Sequence, residues 1–544
     1  MSVTTPLKGA DLTGPDSHPR AVEPVVLGLT IVLSILGAFV GLHLVTSLGI
    51  TANTSVIGAL IAMLVGRIPA WRLGEMRSIH RQNLVQSAIS GATFAAANSL
   101  LVPIAVPFAL GRPDLVWPML AGAAIGLFVD AYVLYRVFNS KLFPGRGTWP
   151  PGVAAAETLI AGDEGGRRAI VLGVGGLVGL VGAIVKLPMS AAGVALIGNV
   201  WALAMFGLGL ALRQYGVEWF DVDLNALYIP HGVMVGAGVV ALGQAVVLLV
   251  GRERRGRAHE AERARAAEAA EEFDVDAAGL RRALGEGYVL FVLGALVVAL
   301  LGGILGELSP VQMLGWCLLA GFAALVHELI VGLAAMHSGW FPAFAVTLIF
   351  LVLGLVIGIP TVPLGLFVAY VAATGPAFAD MGYDFKAGWI IRKGATPYRL
   401  VERAGRRQQY IAQLVGFAVA LAVVALTWQS YFDDELIPPV SKVYADTVNA
   451  GLTETSTLVN ILLWAIPGAL VQLLGGPSRQ MGVLLATGLL ILTPYACWLV
   501  FAALAVRIAW TRMKGERAAG DLNLIGAGII AGNSLTDVGR VLER

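Results

Sequence analysis

The sequence predicts an all-α polytopic membrane protein in two related halves, and three observations carry that prediction. Apolar runs at 25–48, 169–187, 288–305 and 341–358 recur through the 544 residues. Each is long enough to cross about 30 Å of hydrocarbon at about 1.5 Å of rise per residue. Hydrophobic residues make up 57% of the chain and charged ones 13%, with a mean hydropathy of +0.79, too little charge to wet the surface of a soluble protein of this length. The longest polar segment, 252–282, alternates Arg and Glu with Ala and reads as a charged linker, not a soluble domain.

In chain order, residues 1–23 form a polar tail containing Lys8 and Arg20, without the short apolar core and cleavage site of a signal peptide. The first helix is therefore expected to stay in the mature protein. An amino-terminal half, 24–306, carries helices near 25–48, 54–70, 84–102, 116–137, 169–187, 190–212, 225–250 and 285–306, with the linker at 251–283 before its last helix. A carboxy-terminal half, 309–540, carries helices near 311–335, 341–358, 363–380, 408–430, 456–475 and 480–509, and a short apolar segment near 521–535. Two Pro-led stretches are too short or too Pro-rich for ordinary spans: 149–162 (WPPGVAAAETLIAG) and 437–451 (IPPVSKVYADTVNAG). They resemble each other, and 90–99 (SGATFAAANS) resembles 374–383 (TGPAFADMGY) at a similar offset. Paired likenesses of this kind point to an internal duplication, as in secondary transporters.

Basic clusters after the second helix (Arg67, Arg72, Arg77, Arg81), the fourth (Arg136, Lys141, Arg146), the 363–380 helix (Lys386, Arg392, Lys393, Arg399, Arg403, Arg406, Arg407) and the last (Arg507, Arg512, Lys514, Arg517) mark cytoplasmic loops. Placing all of them inside requires the Pro-led stretches to cross as broken helices, whereas re-entrant stretches would leave some basic loops outside; the count is about fourteen to sixteen crossings. The expected location is the plasma or inner cell membrane. A net charge of +2 argues against nucleic acid as a partner. Cys317 and Cys497 lie in apolar runs, so neither a disulfide framework nor a thiolate metal site is expected, and no cofactor is implied. A homodimer is left open.

Several stretches carry a family resemblance. Residues 148–156, TWPPGVAAA, are similar to the TYPSGTATA element of the oligopeptide transporter superfamily in its yellow-stripe-like branch. Residues 380–389, DMGYDFKAGW, resemble that family's DLMQDFKTGY segment. Ala395-Thr396-Pro397 and 408–416 (QQYIAQLVG) resemble its SPR and FxxQLIG continuation. Arg81-Gln82, Pro230-His231 and 526–532 are weaker echoes in the family's order. The chain departs at Pro151, Val153 and Ala155, where the family has Ser, Thr and Thr, and it lacks the NPG and KIPPR signatures of the eukaryotic peptide-transporting clade. The resemblance implies a secondary active transporter, usually proton-driven, for small peptides or for metals chelated by peptide-like ligands. No GxxxxGK[ST] nucleotide loop occurs.

Broken helices supply what such chemistry needs, because Pro and Gly free backbone groups at membrane depth and a half-helix N-terminus attracts a carboxylate. Pro150, Pro151, Gly152, Glu157 and Thr158, with Pro438, Pro439, Asp446 and Thr447, are the expected substrate-binding residues, Glu157 and Asp446 occupying matching places. The alternative is that both stretches are interfacial loops. Ionisable groups in apolar helices are costly, by about 2.5–3.5 kcal/mol on insertion scales, and so are candidates for ion coupling. These are Asp130, which could instead pair with Arg136; His327 and Glu328, as a proton relay or a structural hydrogen bond; and Asp380, Asp384 and Lys386, which could instead fix a helix end. His231 is weighed the same way against a packing role, and Asn98 and Asn199 against interhelical contacts. The GVGGLVG run containing Gly173, Gly175, Gly176 and Gly179 has no preceding strand and reads as close helix packing. Competing functions are a channel, a scaffold, or an enzyme on lipid-linked substrates; the last would need a DDxxD-like cluster, and Asp433-Asp434 lacks the third acid.

Overall fold

The computed structural model describes residues 12, 14–48, 54–68, 71–224, 226–250, 273–339, 341–451, 455–515 and 517–542. Most of the 251–283 linker and of the 1–23 tail lies outside the described residues. The amino-terminal half contains α1 (Pro24–His43), α2 (Thr54–Gly66), α3 (Ile79–Phe94), α4 (Val102–Ala109), α5 (Val116–Val137), α6 (Pro150–Glu164), α7 (Gly166–Ile184), α8 (Met189–Ile197), α9 (Val200–Phe220), α10 (Ile229–Val250) and α11 (Ala277–Leu301). The remainder contains α12 (Pro310–Ser338), α13 (Ala343–Ile357), α14 (Thr361–Ala373), α15 (Pro376–Ile391), α16 (Tyr398–Asp433), α17 (Pro439–Ala450), α18 (Thr455–Gly475), α19 (Met481–Leu490), α20 (Ala496–Lys514) and α21 (Arg517–Leu542). No strand occurs among the described residues, and the protein is an all-α polytopic membrane protein.

Among the described residues, ten segments are long and apolar enough to cross a bilayer, and five shorter apolar helices accompany them. Val311, Leu426 and Leu474 are almost fully exposed, a choice that makes sense only if the solvent at those positions is lipid. Where helices meet, small residues let backbones touch. A Cβ at Gly175 would lie 2.5 Å from the Ile525 carbonyl oxygen of α21, and one at Gly179 2.2 Å from that of Ile529. Part of the GVGGLVG run is thus a packing seam between α7 and α21, as its composition suggests.

The observed boundaries revise several expectations. The third helix continues through a π-helical stretch, Ala95–Leu101, into α4. The expected 190–212 helix is two helices, and Asn199 is the N-cap of α9, accepting from the Trp201 and Ala202 amides at 3.1 Å each, not a residue inside a span. The expected 480–509 helix breaks between α19 and α20, and the 521–535 segment is part of a 26-residue helix. The expected 363–380 helix breaks after Ala373 and restarts at Pro376. This last break organises the interior.

Not every residue in the basic clusters is a loop charge. Arg392 is buried 3.5 Å from Glu402, and Arg406 lies 3.0 Å from Asp274 and 3.5 Å from Glu402. A carboxylate beside each guanidinium offsets part of the cost of burying it. These residues tie α16 to the end of α15.

Candidate functional site

Between α14 and α15 the chain reads Thr374-Gly375-Pro376. Pro376 occupies the first position of α15, where its missing amide costs nothing. Gly375 has φ +88°, and a Cβ there would meet His327 Nδ1 at 2.7 Å, so glycine is required on both conformational and steric grounds. The freed amides of the new helix are met from another helix: Asp130 of α5 accepts from the Gly375 N–H at 2.6 Å and also from that of Phe378. A buried carboxylate thus acts as an N-cap supplied across the core.

His327 and Glu328 of α12 flank the same break. His327 Nε2 lies 3.0 Å from the Ala343 carbonyl oxygen, which fixes that nitrogen as the donor. Its Nδ1 then faces the Thr374 hydroxyl at 3.4 Å. Glu328 is fully buried, and its carboxyl is in hydrogen-bond contact with that of Asp130. Arg136, a candidate partner of Asp130, turns away and pairs with Glu286 at 3.1 Å and with the Tyr132 hydroxyl.

Asp380 and Asp384 follow on α15, four residues apart and therefore on one face. Both are buried in mid-helix, which corrects their expected position at a helix exit. Ser90 Oγ donates to Asp380 at 2.8 Å. Asp384 accepts from Ser55 at 3.0 Å and from the amide groups of Gln86 and Gln413 at 2.5 Å each. Gln409 Nε2 donates to the Asp384 carbonyl oxygen at 2.7 Å and to Ser87. The two acids are held by neutral donors from α2, α3 and α16, and no ion pair reaches them among the described residues. Lys386 does not pair with them: its Nζ donates to the Gly145 carbonyl oxygen at 2.9 Å and lies 4.5 Å from the centre of the Trp389 ring.

The Pro-led stretches part company. Pro150, Pro151 and Gly152 open α6 against α15, where a Cβ at Gly152 would stand 2.2 Å from the Tyr383 carbonyl oxygen. The turn before them is anchored by the Trp149 N–H, which donates to Met336 O at 2.8 Å, and by the Thr148 hydroxyl on the same carbonyl. Farther along α6, Glu157 pairs with Arg168 of α7 at 2.5 Å, and Thr158 bonds back to Ala154. Pro438 and Pro439 open α17, which packs on α4, α13 and α14, and its Asp446 is exposed while Thr447 bonds back to Val443. Glu157 and Asp446 therefore do not meet at one centre, contrary to the expectation from their matched positions. His231 sits at the start of α10 against Tyr228, apart from the α15 cluster.

The structure brings together Asp130, His327, Glu328, Asp380 and Asp384 around one broken helix. It adds Ser55, Gln86, Ser90, Thr374, Gln409 and Gln413, which sequence reasoning did not single out. Their signal was present: polar residues at helical spacing (Asn83, Gln86, Ser87 and Ser90 on α3; Gln409 and Gln413 on α16). A cleft of about 430 Å³ lined by Arg136, Arg399, Arg403, Asp274 and Asp276 lies elsewhere, among the charged helix ends.

A family model described as OPT oligopeptide transporter protein matches residues 24–251 and 225–541, together most of the chain. No curated protein matches it.

Proposed function

The chain belongs to the OPT oligopeptide transporter family, and from that premise we propose that it is a secondary active, proton-driven carrier of small peptides or peptide-like metal chelates across the cell membrane. The α14–α15 break carries this reading. A helix interrupted in the core, with its amides capped by a carboxylate from another helix, is how carriers build a polar centre where lipid forbids one. In this reading Asp380 and Asp384 receive the cationic part of the solute, an ammonium group or the metal of a chelate. Neutral donors hold both acids in place, so an incoming cation need displace no resident Lys or Arg. The likeness of 148–156 and 380–389 to the yellow-stripe-like branch supports the chelate half of the substrate class.

Accumulation of a panel of dipeptides, tripeptides and iron or nickel chelates in proteoliposomes tests this. At least one panel member is expected to accumulate saturably, and an inward proton gradient to increase the accumulation. Absence of uptake across the panel, or non-saturable flux, would replace the carrier with a scaffold or a channel.

A further inference from the structure

The carboxyl of Glu328 has a feature that capping does not explain. Among the described residues neither of its oxygens meets a donor from any other side chain or amide, and the residue is fully buried. What it faces is the carboxyl of Asp130, whose Oδ1 is likewise without a donor while Oδ2 accepts from Gly375. Two carboxylates cannot hydrogen-bond to each other, since both only accept; one of the two must carry a proton that it donates to the other. The titratable groups on the elements that meet here are His327, next to Glu328 on α12, Tyr370 on α14, which acts on Asp130, and Asp380, two residues beyond Phe378 on α15. The first of these already spends its Nε2 proton on Ala343, and the Tyr370 hydroxyl donates to the Phe291 carbonyl oxygen at 2.8 Å. Among the described residues no lysine or arginine pairs with either acid.

We infer that Asp130 and Glu328 bind one exchangeable proton between them, and that this proton closes the contact of α12 with the start of α15. With the proton present, α5, α12 and α15 are joined at one point through Glu328–Asp130–Gly375. Without it, two like charges face each other across a dry contact while Asp130 remains bound to the helix N-terminus, so α12 is the element driven away. The break at Thr374-Gly375 gives α15 the freedom to reorient when that happens. Treating this proton as the one that drives transport rests on the carrier reading above; the existence of the shared proton does not.

Infrared difference spectroscopy of the full-length protein in nanodiscs, titrated with pH, reads the proton without any substrate. Wild type is expected to show a protonated-carboxyl C=O band that shifts in D₂O. That band should be lost in Glu328→Gln, where an amide replaces the donating acid at the same volume, and should move to a different frequency in Asp130→Asn, where the buried Glu328 carboxyl loses the acid it donates to. A wild-type spectrum with no protonated carboxyl, or a band unchanged in both variants, overturns the proposal. Should Asp130→Asn fail to fold for want of its cap, Glu328→Asp supplies the second arm: a shorter acid should keep a band at a shifted frequency, and an unshifted band counts against the pair. Failure of the accumulation panel would leave these spectra unaffected, so the two readings fall separately.

Discussion

Helices α6 and α17 both begin with a Pro pair followed six or seven residues later by an acid, yet they occupy opposite surroundings. Helix α6 is buried nearly all round, with Pro150 to Ala156 and Thr158 to Ala161 enclosed by α2, α15 and α21. Helix α17 buries one stripe, Ser441, Tyr444, Ala445 and Val448, and exposes Lys442, Val443, Asp446 and Asn449. That stripe has the i, i+3, i+4, i+7 spacing of an ordinary amphipathic helix. What separates the two is the face each is offered. The Gly152 side of α6 presses on the backbone of α15, whereas α17 reaches only the flank of α4, α13 and α14. A shared motif fixes how a helix starts, and its neighbours decide whether it can reach the polar centre.

Substitutions can break or sharpen this contrast. The largest effect is expected at Gly152→Ala. The added methyl has no room against the Tyr383 carbonyl, and overpacking at a backbone contact should cost about 3 kcal/mol, read as a collapsed monodisperse peak and a lowered melting temperature. Val443→Ala on the exposed side of α17 should change stability by less than about 0.5 kcal/mol.

Next is the amino-terminal segment 14–23, where His18 lies 5.3 Å from the His80 ring of α3 and the Ala21 N–H donates to Gln408 of α16. Burial, and then the Arg392 guanidinium, push His18 down to about 3, so it is neutral where it docks. The undocked imidazole titrates near 6.5, so docking is at full strength above that pH and weakens as pH falls toward 3. The loss should reach about 2 kcal/mol at pH 5. His18→Gln should flatten the acid limb of the melting profile; an unchanged limb would remove His18 from it.

Smaller still is Glu157→Gln. Its partner Arg168 is 37% exposed, so solvent screening limits the loss to about 1 kcal/mol or less, with transport retained. Asp446→Asn should leave both the melt and transport unchanged, because the side chain is exposed.

Much of this was legible in the sequence. Apolar runs marked the spans; an acid or His inside them marked Asp130, His327 and Glu328, while Asp380 and Asp384 were expected at a helix exit, and the fold gathers all five at one helix. The break itself was obscured because Thr374-Gly375-Pro376 is small and nearly apolar within a long apolar run; the Gly-Pro pair was its only local sign. The Pro pairs at 150 and 438 drew attention instead, because proline density is visible without knowing what packs against it. Loop charge misled at Arg392 and Arg406, whose carboxylate partners, Glu402 and Asp274, come from a neighbouring helix and from the segment before α11. Gln86 and Gln413 were missed because neutral amides become informative only when the fold aims them at Asp384.

The polar centre along α15, not the Pro-led helices, is the central claim, and one comparison tests it directly: accumulation in proteoliposomes by Asp384→Asn beside Asp446→Asn, each confirmed folded by its melt. The account predicts that Asp384→Asn abolishes accumulation of the panel substrate and Asp446→Asn transports like wild type. Wild-type transport by Asp384→Asn together with loss in Asp446→Asn would contradict it and return the site to the Pro-led stretches.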